Sequence, residues 1–155
     1  FGILGMGRIG QELAKLLRGF QVRILYHDIE PLDADQERAL DVESRSFESL
    51  LAESDFLSVL VPLNDRNRGL LDRRAFARMK PGCVFINTAR AGICVYEDFV
   101  DAMKKGVIGA AALDVLWEEA TNQPDELIGF DNLIMTPHLG GSTYECDMTL
   151  VDGVS

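Results

Sequence analysis

The chain has 155 residues, 47% of them apolar, and a formal net charge of −10, which allows one ordinary globular domain and leaves too little length for two. The acidic balance repels phosphate backbones and argues against nucleic acid as a partner, its plain alternative being a solvated acidic surface; no apolar run approaches the ~20 residues of a membrane-spanning helix, so no membrane role is expected. The three cysteines, Cys83, Cys94 and Cys146, form no C-x-x-C pair, which excludes a disulfide scaffold and a structural zinc site and fits a reducing, cytoplasmic setting without a metal.

Residues 1–4 read as a strand. Over 8–18, Ile9, Leu13, Leu16 and Leu17 make the apolar stripe of an amphipathic helix, with Gly19 as its C-terminal stop. Residues 22–26 are a second strand that runs into His27-Asp28. A short helix over 47–53 and a strand over 56–61 follow, the strand closed by Pro62. Asp72 caps a helix running to about Met79, with Leu71 and Phe76 as a hydrophobic staple, and Lys80-Pro81-Gly82 ends it. Then come a strand over 83–86, a helix over 97–105 stopped by Gly106, and strands over 110–115 and 133–135. The loopiest stretch is 120–131, and there is no internal repeat. The strands are near-continuously apolar, as a sheet covered on both faces requires. Their alternation with helices predicts an α/β fold, a doubly wound parallel sheet with right-handed crossovers and helices on both faces.

The first strand runs into G-x-G-x-x-G at Gly5, Gly7 and Gly10, and a helix follows. That is the context of a dinucleotide fingerprint. Gly5 permits the tight turn, Gly7 lets a pyrophosphate approach the backbone, and Gly10 lets the helix pack close to the strand. The helix N-terminus offers free N–H groups and partial positive charge to the phosphates. Asp28 ends the second strand eighteen residues after Gly10. A carboxylate there accepts hydrogen bonds from both ribose hydroxyls of NAD and repels the 2′-phosphate of NADP. The alternative is an exposed turn aspartate beside a structural glycine turn.

Three further stretches, "NTARAG" from Asn87, "ALDVLWEE" from Ala112 and "TPHLGGS" from Thr136, lie at or just beyond the carboxyl ends of predicted strands, the edge where open α/β sheets bind ligands. Arg90, Asp114, Glu119 and His138 are thereby placed to converge on the nicotinamide end of a dinucleotide. Hydride exchange at a carbon bearing oxygen needs an acid–base group near the working pH and a cation to hold the substrate. The chain has two histidines, and His27 sits beside Asp28, which leaves His138. Glu119 is a candidate carboxylate to favour and orient the imidazolium, and Arg90 can grip a carboxylate with two parallel hydrogen bonds. Taken singly, Arg90 fits a surface ion pair, Glu119 a solvated acidic face, His138 a turn residue after Pro137, and Cys94 a small packing residue.

Together "GILGMGRIG", "NTARAG", "AALDVLWEE" and "NLIMTPHLGGST" resemble the D-isomer-specific 2-hydroxyacid dehydrogenases, in family order and over essentially the whole chain. The resemblance implies a Rossmann fold, NAD as cofactor, a small 2-keto or 2-hydroxy acid as substrate, and a homodimer. It implies that Arg90 binds the substrate's carboxylate and carbonyl and that His138 is the acid–base group paired with Glu119. It also implies cofactor contacts from Arg8, Ile9, Asp28, Val61, Pro62, Asn67, Thr88, Ala89, Arg90, Asp114 (toward the nicotinamide carboxamide), His138, Leu139, Gly140 and Gly141, besides the three loop glycines. The family's substrate domain is discontinuous, so residues 1–155 are expected to be the cofactor domain alone, little active by itself. Three positions depart from the family pattern: Ala91 where a glycine usually follows the arginine, Val95-Tyr96 for a common Asp-Glu pair, and Ala120 for a proline. "GGST" leans toward phosphoglycerate dehydrogenase or hydroxypyruvate/glyoxylate reductase relatives, and formate dehydrogenases carry glutamine where Glu119 stands. Two other classes compete: an NAD(H)-sensing corepressor of the C-terminal-binding-protein type, which keeps the same three residues, and a methyltransferase on a similar fold, which the Arg90, Glu119, His138 set argues against.

Overall fold

The computed structural model describes residues 1–117 and 126–142. Strand and helix alternate: β1 (Gly2–Leu4), α1 (Arg8–Leu17), β2 (Ile24–His27), α2 (Ala34–Leu40), β3 (Val42–Ser44), α3 (Phe47–Glu53), β4 (Phe56–Val59), α4 (Arg73–Phe76), β5 (Cys83–Asn87), α5 (Tyr96–Lys104), β6 (Ile108–Leu113) and β7 (Leu133–Met135). These seven strands form one parallel sheet in the order β3-β2-β1-β4-β5-β6-β7. The winding direction reverses between β1 and β4. That switch point opens a crevice at the carboxyl edge.

Successive strand residues point to opposite faces, and this divides each apolar run between two cores. Ile3, Ile24 and Tyr26 pack with Ala14 of α1, Leu40 of α2 and Val42. Leu4, Leu25, Leu57, Val59 and Phe85 pack with Leu50 and Leu51 of α3, Phe76 of α4, and Phe99 and Met103 of α5. Phe76, Phe85 and Phe99 meet with ring centroids 5.6–6.1 Å apart, tilted or edge to face, the geometry aromatic quadrupoles prefer. The doubly wound sheet with helices on both faces is therefore what the sequence predicts. Among the described residues no helix is long and apolar enough to cross a membrane.

Several boundaries differ from the sequence reading, each for a local reason. Helix α1 does not stop at Gly19. A tighter 3-10 turn over Arg18–Phe20 carries the chain on, and Gln21 takes the left-handed conformation at φ 55°. Helix α4 stays regular only to Phe76; the Ala77 N–H still reaches the Arg73 carbonyl, and Arg78 and Met79 then tighten to i→i−3 bonds. Its start is as expected: the Asp72 carboxylate accepts from the N–H groups of Arg74 and Ala75 at 2.9 and 3.0 Å, with Leu71 and Phe76 buried across the cap. Strands β4 and β6 end two residues earlier than expected, at Val59 and Leu113. Leu60 and Val61, and likewise Asp114, are thus released from the sheet at its carboxyl edge. The pair α2 and β3 was not predicted from sequence; a capping box between Asp33 and Gln36 starts α2.

Candidate functional site

Three glycines shape the crevice between β1 and β4. Gly5 turns the chain at φ 103°, and a Cβ on it would lie 2.9 Å from Val61. A Cβ on Gly10 would lie 2.3 Å from the Gly5 carbonyl oxygen, so only glycine lets α1 pack this close. Around Gly7 a Cβ would meet nothing within 4 Å. Gly7 is also the N-cap of α1 and has no side chain to cap it, so the first-turn N–H groups of α1 have no intrahelical acceptor. Open space in front of donors at a positive helix end is what a pyrophosphate needs.

Asp28 lies beside this loop. Its Oδ2 accepts from the Met6 N–H at 2.6 Å and its Oδ1 from the Glu30 N–H at 3.1 Å. The loop thus fixes a carboxylate beside the glycine turn, with lone pairs to spare. His27 is taken up elsewhere: its Nδ1 is hydrogen-bonded to the Arg45 carbonyl, 2.9 Å away.

The crevice continues into a cleft of about 480 Å³, lined by Ile9, Leu60, Val61, Pro62, Leu63, Thr88, Ala89 and Arg90. That volume suits a cofactor-sized ligand. Six of these residues come from the sequence-predicted set; Leu60 and Leu63 were missed because they read as plain apolar residues. Ile9 is 69% exposed and faces the space from the first turn of α1. The loop bearing Arg90 is built by a residue the sequence reading overlooked, the fully buried Asn87 at the end of β5. Its Oδ1 accepts from the Ala89 N–H at 3.0 Å and its Nδ2 donates to the Arg90 carbonyl at 3.1 Å. An asparagine ending an apolar strand was the available signal, since a buried amide is kept for its hydrogen bonds. Arg90 itself is exposed, and its guanidinium donates to the Ala89 carbonyl at 2.6 Å. The Cβ of Ala91 is accommodated: the residue is buried in a 3-10 turn with ordinary negative φ. Asn67 spends its side chain inside its own loop, accepting from the Asn64 N–H at 2.8 Å and donating to the Pro62 carbonyl.

Asp114, His138, Leu139, Gly140 and Gly141 form a second group, beyond the ends of β6 and β7. The Asp114 carboxylate accepts from the Thr136 hydroxyl and from the N–H groups of Leu139 at 2.8 Å and Gly140 at 2.7 Å. The Thr136 hydroxyl, followed by those two N–H groups, holds this carboxylate below the usual range. His138 is exposed and adopts the left-handed region at φ 57°. Glu119 lies outside the described residues, as do Ala120 and Cys146. Two residues before Glu119, Trp117 anchors the chain to the far side of the Arg90 loop: its indole N–H donates to the Cys94 carbonyl at 2.9 Å, and its ring meets Tyr96 edge-on at 5.3 Å. Cys94 is buried beside Asn87, and burial pushes its thiol well above the ordinary value. It behaves as a packing residue and not as a nucleophile.

A family model described as "D-isomer specific 2-hydroxyacid dehydrogenase, NAD binding domain" matches residues 1–140. Similar curated proteins include a glyoxylate reductase of Aeropyrum pernix, 41% identical over 93% of this chain and 43% of its own length. Another is a D-3-phosphoglycerate dehydrogenase of Mycobacterium leprae, 39% identical over 93% of this chain and 27% of its own. Among solved structures, D-mandelate dehydrogenase of Rhodotorula graminis superposes with a TM-score of 0.89 at 35% identity, over 97% of this chain and 44% of that one. The chain thus spans less than half the length of the relatives it matches. It belongs to the D-isomer-specific 2-hydroxyacid dehydrogenase family, with the NAD-binding domain as the matched unit.

Proposed function

We propose that this chain is the cofactor-binding unit of an NAD-dependent oxidoreductase that interconverts D-2-hydroxy acids and 2-keto acids, with the remaining substrate contacts made by residues outside it. The observation that carries the reading is the placement of Arg90 on the wall of a cleft of about 480 Å³ at the carboxyl edge, next to a glycine loop with open space in front of Gly7. NAD, when bound, supplies or accepts the hydride.

The protein's own groups do the rest. The first turn of α1 and Gly7 take the phosphates, and Asp28 takes the adenosine ribose and selects NADH over NADPH by charge. Ile9, Val61 and Pro62 give the cleft apolar walls, and Thr88 and Ala89 the floor beside Arg90. Arg90 holds the substrate carboxylate and polarises the carbonyl. His138, with Glu119 as its carboxylate partner, donates a proton to the forming alkoxide in reduction and accepts it in oxidation. The reading includes a homodimer, which the exposed Leu16 and Phe20 favour, a reducing cytoplasmic setting, which the buried free thiols Cys83 and Cys94 suit, and no nucleic-acid or membrane partner. The relatives named above carry dehydrogenase and reductase names, which favours an enzyme over an NAD(H)-sensing corepressor.

The test is NADH oxidation by the whole protein with glyoxylate, hydroxypyruvate and longer 2-keto acids. Turnover with at least one is expected. Arg90→Ala should raise KM and lower kcat together, because the guanidinium grips ground state and transition state. NADH binding without turnover on any 2-keto acid would contradict the reading.

A further inference from the structure

Asp114 stands one residue past β6 and is 8% exposed. Its Oδ1 accepts from the Thr136 hydroxyl and the Leu139 N–H, and its Oδ2 from the Gly140 N–H. All three donors belong to the turn after β7. A carboxylate has about four lone-pair sites, so three of them are committed within the protein. The same turn holds His138 at φ 57°, a conformation that side-chain-bearing residues keep only where their surroundings enforce it. Among the described residues the turn's other backbone bonds are short-range, His138 N–H to Thr136 at 3.0 Å and Ser142 N–H to Leu139 at 2.9 Å, apart from the Thr136 N–H to the Leu113 carbonyl at 2.9 Å, which holds only the side before His138. The one described group that ties the turn to the sheet on both sides of His138 is the Asp114 carboxylate. The fit is close: a Cβ on Gly140 would lie 2.9 Å from Asp114 Oδ2.

We propose that Asp114 is a positioning residue for His138, a latch whose carboxylate fixes the turn over 136–140 and so aims the imidazole before cofactor or substrate arrives. This rests on the reading of His138 as the acid–base group and adds to it a residue that acts through the turn. It differs from a primary role as a contact to the nicotinamide carboxamide. A ligand contact is made when the ligand arrives, whereas the latch is already closed in the protein alone.

Amide hydrogen exchange on the whole protein without cofactor separates the two. In Asp114→Ala the N–H groups of Leu139 and Gly140 should exchange faster by about tenfold or more, the effect of losing a hydrogen bond to a charged group, while amides of the glycine loop keep their protection. Thr136→Val, which leaves the carboxylate in place, should give a smaller increase at the same two positions. The catalytic consequence is read by a double-mutant cycle on kcat. Gly140→Ala alone should lower kcat, because its methyl meets Asp114 Oδ2. In the Asp114→Ala background it should add little, since that atom is gone. Unchanged exchange at Leu139 and Gly140 in Asp114→Ala, or simple additivity in the cycle, would overturn the latch. Failure of 2-keto acid turnover would instead sink the functional reading, and the exchange data would still decide the latch.

Discussion

Gly7 and Gly10 differ in the space around them, and substitution should separate binding from folding. Gly7→Ala places a methyl in open space. Its stability cost should stay near the ~0.5–1 kcal/mol of a poorer N-cap, while NADH affinity falls about tenfold or more, the worth of one hydrogen bond to a charged group. Gly10→Ala drives a methyl against the Gly5 carbonyl at 2.3 Å, and should cost about 1–3 kcal/mol of stability as overpacking does. Thermal denaturation and fluorescence titration on the same samples check both. Asp28 makes a second residue-scale prediction: NADH should bind more tightly than NADPH, and Asp28→Ala should narrow the gap. Equal affinity of the unsubstituted protein for the two cofactors would contradict it. The glycine loop and Asp28 were legible in sequence because backbone geometry and charge dictate their residue types. Asn87 and Thr136 were not. Asn87 bonds the loop two and three residues ahead of it, and only its polarity at the end of an apolar strand hinted at that; Thr136 bonds Asp114 across 22 residues, and no local pattern announces so distant a partner.

Among the elements, α5 carries a cap defect that the sequence foreshadowed. Val95 stands at its N-cap in the extended conformation, and its own apolar side chain cannot accept from the first-turn N–H groups. Val95→Thr keeps the branched shape and supplies an acceptor, so it should stabilise the protein by about 0.5–1 kcal/mol, seen as a higher urea midpoint with an unchanged slope. The long, periodic or strongly capped elements were read correctly, among them α1, α3 and the central strands. The missed pair, α2 and β3, shows what escapes. Helix α2 buries only Leu40, so it has almost no apolar stripe, and β3 is an edge strand of three residues with one buried. The Asp33-to-Gln36 box was the only usable signal there. Strand ends were overrun for a different reason. Leu60 and Val61, which line the cleft, and Asp114, which braces the turn after β7, are as apolar or as buried as strand residues, and composition does not distinguish the two uses.

At the scale of the molecule, surface charge is uneven. Arg23, at the foot of β2, pairs with Glu43 and Glu53, and Arg45 joins the same two carboxylates. The guanidinium groups of Arg23 and Arg45 pull Glu43 down from 4.5 to about 2. A carboxylate depressed in the folded state adds stability above its unfolded value, and that contribution disappears as pH falls from about 4.5 toward 2. The pair is exposed, so the effect is small. Glu43→Gln should flatten that part of the curve, measured by urea unfolding at several pH values.

The placement of chemistry at one sheet edge comes down to a proton. If His138 gives its proton to the forming alkoxide, the whole protein should oxidise NADH with a 2-keto acid, and His138→Ala should lower that rate by roughly 10²–10⁴ at every pH while the dissociation constant for NADH changes little. Glu119→Gln, which keeps the shape and removes the charge, should move the upper pH limit of reduction to lower pH. The measurement is a pH–rate profile at saturating NADH for the unsubstituted protein and the two variants, with NADH binding read in parallel. Near-normal rates in His138→Ala, or a profile that Glu119→Gln leaves unmoved, would contradict the assignment.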